Sequence, residues 1–318
     1  MISLAKKGGK VVKEKTKIVS LSYNAMFKAI FRNNKKILSQ LVQSIFDYLK
    51  LSINVIDKNL EIVNNELWVS NAKDKQLVCD YRIKINDDIE LNIEINRTYY
   101  SGLEERNLCY CFKIYCDHFK AGDDYSEFKK YLLVQVNFNN FANLDNEPVR
   151  EFFLLDPRNP KNYLTRKICI INVDIDSCLK KFYNDGVSEL SSLERFGAML
   201  KTDYLEDITD IAKGLIGMEE KKEFLEQIKD ASKDKEVLKA IKLEDNIEYR
   251  FKLVEEDALK RGIEKGMEQG IEQGIEQGIE QNKVDIIIQL LKNNASLALI
   301  SNVTGKSIDE IKKISKEL

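Results

Sequence analysis

The sequence predicts an α/β core over residues 18–175 followed by an all-helical C-terminal region. Three observations carry that prediction. Two runs, 77–85 and 89–96, alternate apolar and polar residues with period two, the mark of half-buried strands. The stretch 23–49 instead repeats its apolar residues at spacings of three and four, as amphipathic helices do. Pro148, Pro157 and Pro160 are the only prolines and sit close together, so the chain beyond Asp176 is open to uninterrupted helix.

Taken in order, residues 1–17 carry Lys6, Lys7, Lys10, Lys13, Lys15 and Lys17 against Glu14, with no apolar segment to make a signal peptide. A disordered basic arm on a cytoplasmic protein is expected. Met26, Phe27, Ile30 and Phe31 mark a first helix and Ile37, Leu38, Leu41, Val42, Ile45 and Phe46 a second, broken near Asn33-Asn34. Their apolar side should cover one face of the sheet. A strand near 66–70 follows, with Trp68 on its buried side.

The stretch 77–96 reads as a hairpin and organises the rest. Asn86-Asp87-Asp88 supplies turn chemistry. Cys79, Tyr81, Ile83 and Ile85 share a face with Ile95, Ile93, Leu91 and Ile89 only if the loop centres on Asp87, which sets Asp80 opposite Glu94. Carboxylates facing each other with Cβ atoms ~5 Å apart repel unless a cation or proton lies between them. Asn96 lies two residues beyond Glu94 on the same polar face. An acid facing Glu-x-polar offers oxygen donors for a hard divalent cation, Mg²⁺ or Mn²⁺. A solvated face on which Arg82, Lys84 and Glu90 neutralise the acids fits the same pattern.

Residues 97–119 repeat apolar side chains at helical spacing, and Arg106 there is placed to present a guanidinium to a phosphate. Segments 131–138, 150–156 and 167–173 are strand-like, separated by Asn-rich and Pro-bearing loops; 178–183, 188–200, 204–215 and 219–228 are helical. His118 is the only histidine and is expected to be structural. Six cysteines without a Cys-x-x-Cys pair read as reduced core residues. A net charge of −2 excludes a strongly basic footprint over the whole chain, so any nucleic-acid surface must be local. No apolar run is long enough to cross a membrane.

The region 176–260 is followed over 261–282 by a Gly-x-x-x repeat, with glycines at 262, 266, 270, 274 and 278 and an apolar row Ile263, Met267, Ile271, Ile275 and Ile279. Each glycine costs a helix ~1 kcal/mol relative to alanine. Self-association into a homo-oligomer through close helix approach and a flexible spacer are both consistent with it. The tail 283–318 reads as a helix, then two short helices about Thr304-Gly305-Lys306, either a helix-turn-helix or a small helical cap.

Phe27-Lys28, Asp80, Ile93-Glu94-Ile95-Asn96, Arg106-Asn107-Leu108-Cys109-Tyr110 and Gly122-Asp123-Asp124-Tyr125, in that order and spacing, resemble the PD-(D/E)XK nuclease family transposases, also called the Rpn family of recombination-promoting nucleases. The resemblance runs from about Tyr23 onward. It implies a restriction-endonuclease-like mixed sheet flanked by helices, Mg²⁺-dependent endonuclease cleavage of DNA, and a role in transposition or recombination. Carried over by position, Asp80 and Glu94 become the metal ligands and Asn96 takes the place usually held by Lys or Gln, completing a catalytic set of Asp80, Glu94 and Asn96. Arg106 and Lys28 are the candidate DNA-phosphate contacts. Asn24 stands where many relatives have Asp, and Asn96 cannot supply positive charge. A weakened nuclease-fold protein that binds DNA or assembles without cutting is the alternative.

Overall fold

The computed structural model describes residues 15–63, 66–67, 77–86, 88–100, 102–118, 122, 124, 131–140 and 147–316, with short ladder segments at Lys6–Lys7 and Lys10–Val11. Trp68, Asp87, Asp123 and Tyr125, singled out above, lie outside the described residues. The chain divides into two compact units, Met1–Glu248 and Tyr249–Leu318.

The first unit is built on a mixed six-stranded sheet with flanking helices. Its strands are β1 (Leu60–Val63), β2 (Tyr81–Ile85), β3 (Ile89–Asn96), β4 (Leu132–Asn139), β5 (Val149–Asp156) and β6 (Asn159–Asp174). They lie side by side in the order β1-β2-β3-β4-β6-β5. Pairs joined by short connections, β2 with β3 and β5 with β6, are antiparallel, as is β1 with β2. β4 runs parallel to both β3 and β6. A parallel neighbour needs a crossover, and helix α3 (Leu103–Asp117) provides it between β3 and β4. Before the sheet come α1 (Asn24–Phe31) and α2 (Lys35–Tyr48); after it come α4 (Ile175–Asp185), α5 (Ser192–Lys201), α6 (Leu205–Ile211), α7 (Met218–Ala231) and α8 (Lys235–Lys292).

The two faces of the sheet differ. Ile83, Ile93, Val136, Phe138, Ile171 and Val173 point to a large apolar core that Phe27, Phe31, Leu38, Leu41 and Phe196 complete from the helices. Phe27 stacks on Phe31 at 4.2 Å and meets Tyr81 edge-on at 5.3 Å, fixing α1 over the hairpin. The break between α1 and α2 falls where expected, because the Asn34 side chain accepts the Ile37 N–H at 3.1 Å and so starts a new helix. Gly197 lets α5 pack tightly, since a Cβ there would lie 2.7 Å from Cys178 Sγ. The opposite face is covered by α3 through a smaller cluster of Tyr110, Cys111, Ile114, Tyr131, Leu133 and Ile168. His118 stacks on Tyr131 at 3.7 Å, a structural contact.

The hairpin register is the expected one: Tyr81 pairs with Ile93, Ile83 with Leu91 and Ile85 with Ile89. Cys79 departs from it. A bend at Asp80 interrupts the alternation, and Cys79 joins the cluster beneath α3 rather than the face of Tyr81. Pro160 was expected in a loop but lies within β6, where pairing with β5 is irregular between Asn159 and Tyr163 and no ladder N–H is required. Lys15, Thr16 and Lys17 are also held, so the expected disorder does not reach them. Thr16 donates to Glu206, Lys15 pairs with Asp207 at 2.6 Å, and Lys17 bridges Tyr204, all at the start of α6.

In the second unit the remainder of α8 is followed by α9 (Leu297–Thr304) and α10 (Ile308–Lys316), packed around Ile287, Ile300 and Ile311. Gly305 at φ 69° turns the chain between the short helices. The repeat is continuous helix, and its apolar row from Ile263 to Ile279 is exposed. Among the described residues no helix is long and apolar enough to cross a membrane.

Candidate active site

The bend at Asp80 ends the alternation of β2 and turns that carboxylate against the backbone of β3. Asp80 Oδ2 accepts the Ile95 N–H at 2.9 Å, and Glu94 Oε1 accepts the Asp80 N–H at 3.2 Å. Each acid therefore grips the backbone beside the other. Asp80 Oδ1 accepts from Asn24 Nδ2 on α1. The solvated-face alternative does not hold, because Asp80 is 8% exposed and Glu94 0%. Arg82 is turned away from the pair and donates to Glu90 Oε1 at 2.9 Å.

Positive charge reaches the acids from two helices. Arg106 on α3 stands 3.6 Å from Glu94 Oε2, and it also donates to Asn96 Oδ1 at 2.9 Å, Tyr100 Oη at 3.1 Å and Tyr110 Oη at 2.9 Å. Lys28 on α1 acts on Asp80 through its charge, as Arg106 does. Burial outweighs both. It raises Asp80 above the usual carboxylate range, and burial followed by the Asp80 charge raises Glu94 well above it.

Asn96 is engaged on both sides, since its Nδ2 donates to Asn139 Oδ1 at 2.9 Å while Arg106 holds its Oδ1. Sequence reasoning gave Asn96 a place in the set but missed that Arg106 would clamp it. It also missed Glu244 on α8, whose carboxylate accepts the backbone N–H groups of Asn24 (3.0 Å) and Ala25 (2.8 Å) and so fixes the start of α1. A row of amides was missed as well. Asn92 Nδ2 donates to Glu94 Oε1 and Gln135 Oε1, Gln135 to Asn137, and Asn137 to Asn172. The signal was present: in β4 Gln135, Asn137 and Asn139 alternate with Val134, Val136 and Phe138.

A strand-bend acid thus faces the Glu of a second strand, beside an arginine from the crossover helix. The family model of PD-(D/E)XK nuclease family transposases matches residues 23–251. The chain belongs to this family. No curated protein and no solved structure matches it. Membership in the PD-(D/E)XK nuclease family transposases gives the chain a nuclease-related function, and the matched span contains the sheet, Asp80, Glu94, Arg106 and Glu244.

Nucleases of this kind work with a divalent cation, and the donors present suit one. Among the described residues no cluster of three His, Cys, Asp or Glu side chains is placed around a point, so the acidic donors are the pair alone. Two buried oxygens beside it, Glu94 Oε2 and Asn24 Oδ1, have no hydrogen-bond partner. Hard oxygens lacking a donor, next to two buried acids, fit a hard cation.

Proposed function

We propose that the chain is a metal-dependent DNA endonuclease whose site is Asp80 and Glu94, with Mg²⁺ or Mn²⁺ as cofactor. The observation that carries this reading is the burial of two neighbouring carboxylates, with Arg106 and Lys28 as the cations acting on them and two oxygens, Glu94 Oε2 and Asn24 Oδ1, that accept no hydrogen bond. Asp80 and Glu94 would hold the ion, with Asn24 Oδ1 able to add a neutral oxygen. A divalent cation held there would supply a water of lowered pKa and positive charge for the phosphate oxygens. Arg106 orients Glu94 and Asn96 and supplies the positive charge that Asn96 lacks, and it remains exposed enough to meet a phosphate. Lys28 adds positive charge from the α1 side. Asn96 is a positioning residue that links β3 to β4 and fixes the Arg106 guanidinium.

The expected association with transposition or recombination, the cytoplasmic setting, and assembly through the exposed row of the repeat helix belong to the same reading. The test is nicking of supercoiled plasmid with Mg²⁺ or Mn²⁺. Wild type should nick and Asp80→Ala should not. Equal nicking by both would remove these residues from the chemistry. DNA retention that falls steeply with salt, without cleavage by wild type in either metal, would favour a binding protein that keeps the nuclease fold.

A further inference from the structure

Beside the acids, between α3 and strands β4, β6 and β5, lies a pocket of about 310 Å³. Its wall is apolar and aromatic, with Phe112 of α3 and Phe152 of β5 at the rim, 41% and 47% exposed. Apart from Glu104, the polar side chains among its lining residues are amides: Asn107 from α3, Asn137 from β4 and Asn172 from β6. Asn107 is 4% exposed and its Oδ1 has no hydrogen-bond partner. Among the described lining residues the only charged side chain is Glu104, an acid.

That combination selects a ligand class. An acid at the wall with no cation disfavours a phosphate. Flat aromatic faces with amide donors and acceptors between them suit a neutral heteroaromatic ring that carries hydrogen-bonding edges. The pocket is also tied to the candidate site. Glu94 pairs across the sheet with Asn137, and Asn137 with Asn172, so the pocket begins one strand away, ~5 Å, from the acid. The amide row from Asn92 through Gln135 and Asn137 to Asn172 forms one hydrogen-bonded chain leading from Glu94 Oε1 into the pocket wall.

We propose that this pocket takes an unstacked nucleobase of the DNA strand whose phosphate lies at Asp80 and Glu94. The inference rests on the nuclease reading of the acids and adds the substrate form to it: a single strand, or a base turned out of a duplex. Phe112 and Phe152 supply the stacking surface, and Asn107 Oδ1 takes a donor from the base edge. Stacking of this kind is tolerant of sequence, and base-edge contacts add discrimination.

The experiment uses the full chain without divalent ion and follows a short single strand carrying 2-aminopurine by anisotropy and fluorescence, beside the fully paired duplex of the same sequence. Phe112→Ala combined with Phe152→Ala should weaken single-strand binding roughly fivefold or more and abolish the change in 2-aminopurine emission, with duplex binding less affected. A duplex bound with the same emission change as the single strand would identify a turned-out base as the source. Because Asn107 is buried, Asn107→Leu serves as the second variant; it should keep stacking and lose discrimination among bases. Unchanged single-strand binding in the double variant, or loss of self-association by sedimentation in place of DNA binding, overturns the proposal. As no metal is present, the plasmid-nicking result is independent: its failure would remove the nuclease reading while leaving base binding measurable.

Discussion

The backbone N–H of Asp80 donates to Glu94 Oε1 at 3.2 Å, while the N–H of Ile95, next to Glu94, donates to Asp80 Oδ2 at 2.9 Å. This reciprocal clasp ties the bend at Asp80, just before β2, to Glu94 on β3. Both carboxylates are thus fixed in position before any ligand arrives, at the cost of burying charge.

That cost gives a pH dependence. Burial, and for Glu94 also the neighbouring Asp80, raises both acids above their usual range. A raised folded-state pKa means the folded chain holds the proton more tightly. The stabilising contribution is then complete below the unfolded value and is lost as pH rises through the folded one. Urea midpoints in a chelator should fall as pH rises through and above the ordinary carboxylate range, and Glu94→Gln should flatten that fall. A wild-type midpoint that rises over the same interval would contradict it.

Arg106 joins Glu94, Asn96, Tyr100 and Tyr110 from a single turn of α3. Arg106→Ala should cost about 1–3 kcal/mol of stability, because it leaves buried acceptors without a donor. Arg106→Lys should recover only part of this, since an ammonium cannot reproduce the planar fork. Urea unfolding of the two variants at neutral pH checks both statements. Equal stability of Arg106→Ala and wild type would show that the guanidinium positions nothing.

Asn24 stands where the resemblance places an Asp, and its amide donates to Asp80. Asn24→Asp replaces that donor by a third carboxylate. The metal-free protein should lose about 1–3 kcal/mol, while Mn²⁺ binding should tighten by about tenfold, since affinity follows the charge of the ligand set. Thermal unfolding with and without Mn²⁺ separates the two effects. A variant destabilised to the same degree in both would place Asn24 outside the ion's reach.

The hairpin and its register were legible because period-two alternation with one buried face leaves a single pairing. The helices of the first unit were legible from their apolar spacing and, at Asn34, from a capping residue. What sequence could not show was the bend at Asp80, which moves Cys79 to the other face: no glycine or proline marks it, and it is held by tertiary bonds from Asn24 and Ile95. Strand β1 was missed because Leu60–Val63 is short and offers little periodicity. Arg106 was noticed as a cation, but its grip on Asn96 depends on how α3 crosses the sheet, a relation between elements distant in space. The amides of β4 are visible in the sequence as an alternating row, but polar strand residues usually face water, and nothing local shows that Gln135, Asn137 and Asn139 are buried.

In the repeat, a Cβ added at Gly270 or Gly274 would meet nothing within 4 Å. In a lone helix, alanine at each should therefore stabilise by about 1 kcal/mol. If the glycines serve close approach between copies, the same substitutions should break an oligomer. Sedimentation of the full chain is expected to show self-association that Gly270→Ala with Gly274→Ala abolishes. A monomer at high concentration would leave the repeat as a spacer.

Whether two buried acids form a divalent-ion site is decided by calorimetric titration of Mn²⁺ into the wild-type chain and into Glu94→Gln, which keeps the side chain's shape. Saturable binding to wild type that vanishes in Glu94→Gln is the expected result. Identical heats for the two proteins would contradict it and leave the clasp of Asp80 and Glu94 as a purely structural joint.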